Sequence, residues 1–339
     1  MLLIDTYSPK SKEDIYFHKE IYDLLAVLRK DNSFPNLIFH GPAGVGKKVI
    51  IRIFLEKLFN KNINKLSDIQ YNIDGCGNKE TKVFIKQSDY HIVIEPNNNN
   101  FDKYLVQNII KEYAEKDTMF VKSKRNLKVI LINNIDNMSY SAQASLRRTM
   151  EKYSSKCKFI LWCHSLSKVT EPLISRCMCI RVSSPTNLEL FKYINIVALK
   201  EKITLTLSKY TKIINLCDGN IKELLWHLEY IKAGNYDKDI EYEKYIEVLI
   251  NYLLLADITK IEEIRIILYN MMITNFSTTK IVIDLIVKIC MSKKISENIK
   301  YKLIQHAAFL DYELIRSRRE IVQFDKFIVN CIKDIYSSK

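Results

Sequence analysis

The alternation of apolar and polar positions divides the chain into a front part of mixed pattern and a helical rear part. In the front part, short apolar runs such as Leu37-Ile38-Phe39 and the run from Lys128 to Ile135 have the length and composition of buried strands. From residue 236 onward there is neither Gly nor Pro, and apolar residues recur at helical spacing at Ile246, Leu249, Ile250, Leu253 and Leu254. The pattern therefore predicts an α/β fold with a parallel sheet, followed by an all-α domain.

Turn-forming residues mark two boundaries. Ser183-Ser184-Pro185 ends the α/β pattern, and Gly234-Asn235 precedes the helical rear part. We therefore expect three domains, at residues 1–185, 186–235 and 236–339, of which the middle one is small and helical. A chain of 339 residues is long enough to give each of them a core.

A phosphate-binding loop follows the first apolar run. Residues 41–48 read Gly-Pro-Ala-Gly-Val-Gly-Lys-Lys, and the segment after them is apolar on all sides, as in a buried helix. The glycines let backbone N–H groups turn towards phosphate oxygens, the helix N-terminus adds partial positive charge, and Lys47 can reach the terminal phosphates. This strand, loop and helix context predicts a nucleotide site. Its expected residues are Gly41, Pro42, Ala43, Gly44, Val45, Gly46, Lys47, Lys48 and Val49.

The last position of the loop departs from the usual pattern. A Ser or Thr hydroxyl normally follows the lysine and ligates Mg²⁺ during phosphoryl transfer. Lys48 stands there instead and has no oxygen to offer. The loop therefore predicts a chain that holds a nucleotide and is poorly equipped to hydrolyse it.

Asp136 ends the second strand-like run. A carboxylate at the end of a buried parallel strand lies at the C-terminal edge of the sheet, where α/β folds bind their ligands. Asp136 is therefore the expected magnesium partner, although taken alone it could equally cap the following helix. In P-loop ATPases of this type a glutamate usually follows, and here Asn137 can orient a water but cannot accept its proton.

Net charge points to a polyanionic partner. The chain carries 52 Lys+Arg against 39 Asp+Glu, for a net charge of +13 and a pI near 9.1. Nucleic acid is the leading candidate. The enrichment in Lys, Ile, Asn and Tyr is also typical of an AT-rich genome, and composition does not separate these two interpretations.

Cysteine spacing and hydropathy argue against a zinc site, secretion and a membrane span. The eight cysteines include no CxxC pair, so zinc spacing is absent and reduced thiols are expected. The N-terminus lacks a signal pattern, and no apolar run approaches the ~18 residues that span a bilayer. We expect an intracellular protein without a membrane partner.

Several motifs together resemble a known family. They are Asp5-Thr6-Tyr7-Ser8-Pro9, Leu146-Arg147-Arg148-Thr149-Met150-Glu151, Ser175-Arg176-Cys177 and Asp218-Gly219-Asn220-Ile221-Lys222. They resemble the small subunits of sliding-clamp loaders, the replication factor C family of AAA+ ATPases, over residues 1 to about 230. The resemblance implies a RecA-like AAA+ domain at 1–185, a helical lid at 186–235 and a helical collar at 236–339. The Gly-Lys-Lys ending resembles the subunit at the end of the ring, which holds nucleotide without needing to turn it over.

The resemblance also implies roles for single residues. Arg176 would act as an arginine finger in trans, against the γ-phosphate held by the neighbouring subunit. A surface arginine at a strand start is the alternative. His164 stands where the family's first sensor usually has Asn, and Lys222 where the second has Arg, so both depart from the pattern. Arg147 and Glu151 are four residues apart on one helix and could simply form a pair.

The implied ligands and partners follow from the family. The nucleotide would be ATP or ADP, with or without Mg²⁺ held by Asp136. The partners would be other clamp-loader subunits in a pentamer, a sliding clamp of the PCNA type and primer-template DNA, in the nucleus or a viral replication compartment. Asn98, Asn100 and Lys103, at the start of a helix, are the expected DNA contacts. A flexible Asn tract is the alternative explanation for that segment.

Three functional hypotheses remain open from the sequence. The chain is mainly an assembly and regulatory subunit with negligible turnover, or a working ATPase that compensates through His164 or a water-mediated metal shell. A P-loop translocase acting on nucleic acid outside any clamp loader is the third. It is supported only by the charge and the loop.

Overall fold

The structure, a computed structural model, divides the chain into two compact units, Met1–Ala233 and Gly234–Lys339. It describes all residues except 1, 11–13, 31–33, 60–62, 64, 75–79, 89, 97–101, 116–127, 235–237, 256–257, 274–277, 293–295, 317–319 and 337–339. The predicted turn residue Asn235 therefore lies outside the described residues, whereas Gly234 has a positive φ of 78°.

A seven-stranded sheet forms the centre of the first unit. Its strands are β1 Leu37–His40, β2 Ser67–Asp74, β3 Glu80–Gln87, β4 His91–Ile94, β5 Lys128–Ile132, β6 Cys157–Cys163 and β7 Met178–Arg181. They lie in the order β2-β3-β4-β5-β6-β1-β7, and the five strands from β4 to β7 are parallel to one another. The predicted parallel sheet is confirmed.

An antiparallel hairpin, β2 and β3, extends this sheet at one edge. Its two strands are separated by residues 75–79 alone, a connection too short for a parallel crossover. This hairpin was not predicted from the sequence, although the alternation of Ile69, Tyr71 and Ile73 with polar residues is typical of such strands.

Helices cover both faces of the sheet. In the first unit they are α1 Leu3–Thr6, α2 Lys19–Lys30, α3 Lys47–Phe59, α4 Asp102–Tyr104, α5 Ile110–Glu115, α6 Tyr140–Lys152, α7 Glu171–Ile174, α8 Asn187–Glu201, α9 Leu207–Cys217 and α10 Ile221–Lys232. A π-helical turn spans Leu105–Ile109, and 3₁₀ turns span Ile135–Asn137 and Leu166–Lys168. Along β1, Leu37 and Phe39 pack with residues of α3, whereas Ile38 packs with residues of α6. Because both faces are covered, β1 reads as an uninterrupted apolar run.

Helices α8, α9 and α10 build a small core of their own. Leu190, Ile213 and Leu224 pack there, together with Leu3 from the N-terminal segment. Thr186 starts α8 with a capping box, in which its hydroxyl accepts a hydrogen bond from the Glu189 N–H at 3.3 Å. These helices belong to the same compact unit as the sheet, so a separate lid domain stays a prediction.

The second unit is helical in all its described elements. These are α11 Lys238–Leu255, α12 Ile261–Ile273, α13 Thr278–Met291, α14 Glu297–Arg316 and α15 Glu320–Tyr336, with a 3₁₀ turn at Ile258–Lys260. The helical spacing noted in the sequence is confirmed, because Ile246, Leu249, Ile250 and Leu253 all lie in its core. Within the described chain, no helix combines the length and the hydropathy needed to cross a membrane.

Candidate functional site

Glycines shape the loop between β1 and α3. Gly41, Gly44 and Gly46 have φ values of 153°, 72° and 97°, a region that favours glycine. A Cβ on Gly41 would collide with the Val182 carbonyl, and one on Gly44 with the side chain of Asn220. The loop thus runs between the end of β7 and the start of α10, with no room for a side chain at either point.

Lys47 is held inside the loop. It is buried, and its ammonium donates hydrogen bonds to the carbonyl oxygens of Gly41 and Pro42, both at 2.6 Å. Burial lowers its pKa, while the nearby charge of Asp136 acts in the opposite direction. The ammonium therefore lies at the phosphate loop with acceptors that a phosphate can replace.

A cavity of about 390 Å³ opens beside this loop, a size typical of small-ligand sites. Two groups of side chains line it, and within each group the side chains contact one another. One group is aromatic and consists of Tyr16, Phe17 and Tyr193. The other is polar and basic and consists of Lys47, Lys48, Trp162 and His164. An aromatic region beside a basic one matches the base and the phosphates of a nucleotide.

Most of the predicted nucleotide-binding residues line this cavity. The cavity lining includes Gly44, Val45, Gly46, Lys47, Lys48, Val49, His164 and Lys222. Gly41, Pro42 and Ala43 form the start of the loop and are not among the lining residues. Lys222 lies in the first turn of α10, where Asn220 caps the helix by accepting hydrogen bonds from the N–H groups of Lys222 at 3.0 Å and Glu223 at 3.3 Å.

Asp136 lies in the turn after β5 and connects it to β6. Its Oδ2 accepts a hydrogen bond from the backbone N–H of His164 at 2.9 Å. Its Oδ1 is buried and has no hydrogen-bond partner. The alternative that Asp136 caps the following helix is wrong, because Ser139 holds the N-cap position of α6. Asp136 is not among the residues that line the cavity, but its charge acts on Lys47 and His164, which are.

His164 packs its ring edge-on against Trp162, with ring centroids 5.4 Å apart at 86°. Burial lowers its pKa, and so do Lys47 and Lys48, while Asp136 opposes them. His164 therefore stays neutral over a wider range of pH than a free histidine, and it can donate or accept one hydrogen bond at the cavity.

A chain of hydrogen bonds that was not predicted from the sequence connects Trp162 to the ends of two neighbouring strands. The Trp162 indole N–H donates to Asn133 Oδ1 at 2.7 Å, and Asn133 Nδ2 donates to Glu95 Oε1 at 2.6 Å. Asn133 and Glu95 directly follow β5 and β4, which pair in parallel from His91↔Val129 to Ile94↔Ile132. Polar residues at the ends of adjacent parallel strands were the signal that could have found them.

A magnesium ion finds few ligands at this site. Among the described residues, no group of three or more His, Cys, Asp and Glu side chains is arranged to hold a metal ion. Asp136 Oδ1 has no hydrogen-bond partner but is buried, and Lys48 brings an ammonium to the cavity near the Trp162 ring. Because Mg²⁺ at nucleotide sites needs only one or two protein oxygens beside phosphates and water, it is the missing hydroxyl and the nearby ammonium of Lys48 that make the residues present a poor fit for a divalent cation.

Arg176 lies at the opposite edge of the sheet from the phosphate loop. It precedes β7, whose first residue Met178 pairs with Leu37 at the start of β1, whereas the loop follows the end of β1. Its side chain is 37% exposed. Its Nε donates to Glu151 Oε1 at 2.6 Å, and its Nη1 donates to the Pro172 carbonyl at 2.8 Å.

The predicted pair between Arg147 and Glu151 on α6 is not observed. Glu151 forms its ion pair with Arg176 across two elements, and the described contacts include none between Glu151 and Arg147. The turn after α7 brings Arg176 to the end of α6, which a reading of one helix in isolation could not show.

The expected DNA contacts are only partly described. Lys103 is exposed in α4. Asn98 and Asn100 lie outside the described residues.

Comparison with known proteins gives one consistent family. Residues 18–186 match the family model of the DNA polymerase III delta subunit. A protein described as a replication factor C small subunit from Acanthamoeba polyphaga mimivirus is 35% identical over 99% of this chain and 91% of its own. Replication factor C subunit 3 of Arabidopsis thaliana is 29% identical, over 97% and 96% of the two chains. The human subunit 3 is 28% identical, over 96% and 94%.

Among solved structures, a RuvB variant from Thermotoga maritima aligns over 91% of each chain with a TM-score of 0.47 and 12% identity. A likeness this distant carries no argument about function.

Proposed function

Because this chain belongs to the replication factor C small subunits, the AAA+ clamp-loader proteins of DNA replication, we propose that it binds a nucleotide in its own cleft and lends Arg176 to a neighbour's cleft. One observation carries the proposal. The phosphate loop and Arg176 lie at opposite edges of the same parallel sheet. The paired segment of β1 and β7, about 10 Å long, lies between them, and Arg176 is not among the residues that line the cavity at the loop.

The nucleotide we propose is ATP or ADP. Its phosphates would take the place of the Gly41 and Pro42 carbonyls as acceptors for Lys47, next to the N-terminus of α3. Its base would lie against the aromatic group at Tyr16 and Phe17. Helices α8 to α10 would act as the lid, since α10 brings Lys222 to the same cavity.

Hydrolysis in this cleft is expected to be weak. Lys48 offers no hydroxyl to a metal ion, and Asn137 has an amide where a carboxylate would accept a proton from water. The backbone N–H of His164 is already bonded to Asp136, which leaves its neutral imidazole as the one candidate base among these three residues. The chain would therefore serve assembly and regulation of the complex more than turnover of its own.

Turnover by the isolated chain tests this point. We expect negligible ATP hydrolysis, and nucleotide binding that Lys47→Ala weakens because the buried ammonium is lost. Lys156→Thr, an exposed lysine outside the cavity, should leave binding unchanged. Hydrolysis at the rate of ordinary AAA+ enzymes, abolished by Lys47→Ala, would establish the working-ATPase alternative instead.

The relatives are subunits of a hetero-oligomeric complex, and we propose that this chain joins a pentamer through its helical second unit. The further proposed partners are a sliding clamp of the PCNA type and primer-template DNA, bound through Lys103 and, outside the described residues, Asn98 and Asn100. Backbone contacts of this kind would make DNA binding fall steeply with salt. The expected place is the nucleus or a viral replication compartment.

The arginine finger is tested in the assembled complex. Arg176→Ala should leave nucleotide binding by the isolated chain almost intact and should lower turnover at the neighbouring site by a factor on the order of 10³. Steady-state ATPase assays and binding titrations measure the two effects.

Glu151→Gln is the matched control. It removes the ion pair with Arg176 but keeps the guanidinium, so turnover of the complex should persist. If Glu151→Gln reduces turnover as strongly as Arg176→Ala, the pair has a structural role, and the finger proposal is wrong. Loss of binding in the isolated Arg176→Ala chain would show that Arg176 serves its own cleft.

A further inference from the structure

The phosphate end of the cavity carries two ammonium groups on one indole ring. Lys47 Nζ lies 5.4 Å and Lys48 Nζ 5.3 Å from the centroid of the Trp162 ring. A cation at this distance is attracted by the quadrupole of the ring. Lys48, which replaces the metal-binding hydroxyl, is exposed, but its ammonium lies over the indole ring at the cavity.

The indole ring that holds these lysines is itself fixed. Trp162 is 4% exposed and lies in β6 beside Phe39 of β1. Its N–H donates to Asn133, which in turn donates to Glu95, and the His164 ring packs against its edge. The ring that the Lys48 ammonium contacts is thus held in place by β6 and by Asn133, which follows β5. The contact between the ammonium and the ring is therefore part of the architecture of the cleft.

The charges at this end oppose a divalent cation. Lys47 and Lys48 are both cationic, and the N-terminus of α3 adds partial positive charge. Asp136 is the carboxylate beside them, and its negative charge already acts on Lys47 and His164. A divalent ion placed here would be repelled by two ammonium groups at short range and would gain one carboxylate oxygen.

We propose that this cleft binds a nucleoside di- or triphosphate without a divalent cation, with the Lys48 ammonium supplying the positive charge that Mg²⁺ supplies in loops ending in Ser or Thr. The inference rests on the nucleotide binding proposed above and specifies its ionic requirement. An ammonium neutralises phosphate charge but does not bridge the β- and γ-phosphates as a metal ion does. Binding without metal and weak hydrolysis then have the same cause.

Calorimetric titration of the full-length chain with ADP tests the proposal, once in excess EDTA and once in excess MgCl₂. The wild-type dissociation constants in the two buffers should agree within about threefold. Lys48→Thr restores the hydroxyl and removes the ammonium. We expect it to bind ADP at least about tenfold more weakly in EDTA, and to recover most of that loss in MgCl₂.

Two further variants test the indole ring that Lys47 and Lys48 share. Trp162→Leu removes the aromatic face and should weaken binding in EDTA with Lys48 still present, whereas Trp162→Phe keeps a face and should weaken it less. Lys156→Thr, at the opposite end of β6 from the cavity, is the control for charge alone and should bind ADP like the wild type in both buffers. If the buried tryptophan variants do not fold, the Lys48→Thr titrations still decide.

The outcomes distinguish this inference from the function on which it rests. Wild-type binding that requires MgCl₂, or a Lys48→Thr variant with unchanged metal dependence, overturns the inference and leaves nucleotide binding in place. A folded chain that binds ADP in neither buffer overturns the proposed nucleotide binding itself.

Discussion

At the scale of single residues, Gly44 joins two functions of the cleft. Its positive φ of 72° shapes the phosphate loop, and its missing side chain makes room for Asn220. Asn220 in turn caps α10, the helix that carries Lys222. A change at Gly44 therefore alters both the loop and the approach of α10 to it.

Gly44→Ala should destabilise the first unit and weaken nucleotide binding. The left-handed conformation alone costs about 1–2 kcal/mol for an L-residue, and the displaced Asn220 adds to that loss. Denaturant unfolding followed by tryptophan fluorescence measures it, because both tryptophans, Trp162 and Trp226, lie in the first unit.

Gly234→Ala is the matched control for this prediction. Gly234 also has a positive φ, of 78°, but a Cβ there would meet nothing within 4 Å. It should leave nucleotide affinity unchanged, because its strained backbone is not accompanied by a side-chain collision at the cleft. Equal loss of affinity in both variants would mean that the Gly44 contact with Asn220 is unimportant.

Some features of the candidate site could be predicted from the sequence, and others could not. The loop glycines and Lys47 were predictable because their spacing is local and their chemistry follows from the backbone. The Trp162 platform and the Arg176 contact with Glu151 were not, because each joins residues that are 25 or more positions apart in the chain. Such contacts depend on strand order, which local patterns do not determine.

At the scale of elements, the core of the α/β domain could be predicted and its edge could not. The strands β1, β5 and β6 are buried on both faces, so each appears as a continuous apolar run. The hairpin of β2 and β3 has a weaker alternating pattern, and it is stabilised by pairing with β4 as well as by its own residues. Pairing of that kind is a tertiary effect that overrides local propensity.

Helix α13 carries an apolar stripe on its outer side. Ile283, Val287 and Met291 recur every fourth residue and are 59%, 43% and 76% exposed. The opposite side of the same helix, with Ile281, Leu285 and Ile289, lies in the core. An exposed stripe in addition to a complete core fits the proposed role of the second unit in assembly.

Replacing this stripe should impair assembly more than folding. We expect the combined variant Ile283→Ser, Val287→Ser and Met291→Ser to lose most of its association with the other clamp-loader subunits, measured by co-purification and size-exclusion chromatography. Its circular dichroism should remain that of the wild type, because these side chains are exposed.

The control for this experiment lies in the first unit. Val27→Ser and Leu199→Ser change apolar residues that are 60% and 80% exposed, and both should leave association unchanged. Normal assembly of the α13 variant would exclude this face from the collar contacts.

At the scale of the whole molecule, the family motifs indicate function, whereas the hydrophobic pattern indicates only secondary structure. The family motifs lie in residues 1 to about 230, and the relatives extend the similarity to nearly the full chain. The second unit carries no motif, so the sequence predicts its helices but not its role. The net charge of +13 agrees with a nucleic-acid partner without locating the surface that binds it.

If Arg176 acts in trans as proposed, its ion pair with Glu151 has a consequence for communication between subunits. In the isolated chain the guanidinium is already satisfied, by a partly exposed carboxylate whose attraction amounts to less than about 1 kcal/mol. The proposed nucleotide in the adjacent cleft would have to displace Glu151 from the guanidinium, and a γ-phosphate, with its additional negative charge, would favour this exchange more than a diphosphate. The arginine would then report which of the two nucleotides the adjoining subunit carries, releasing Glu151 only when the third phosphate is there.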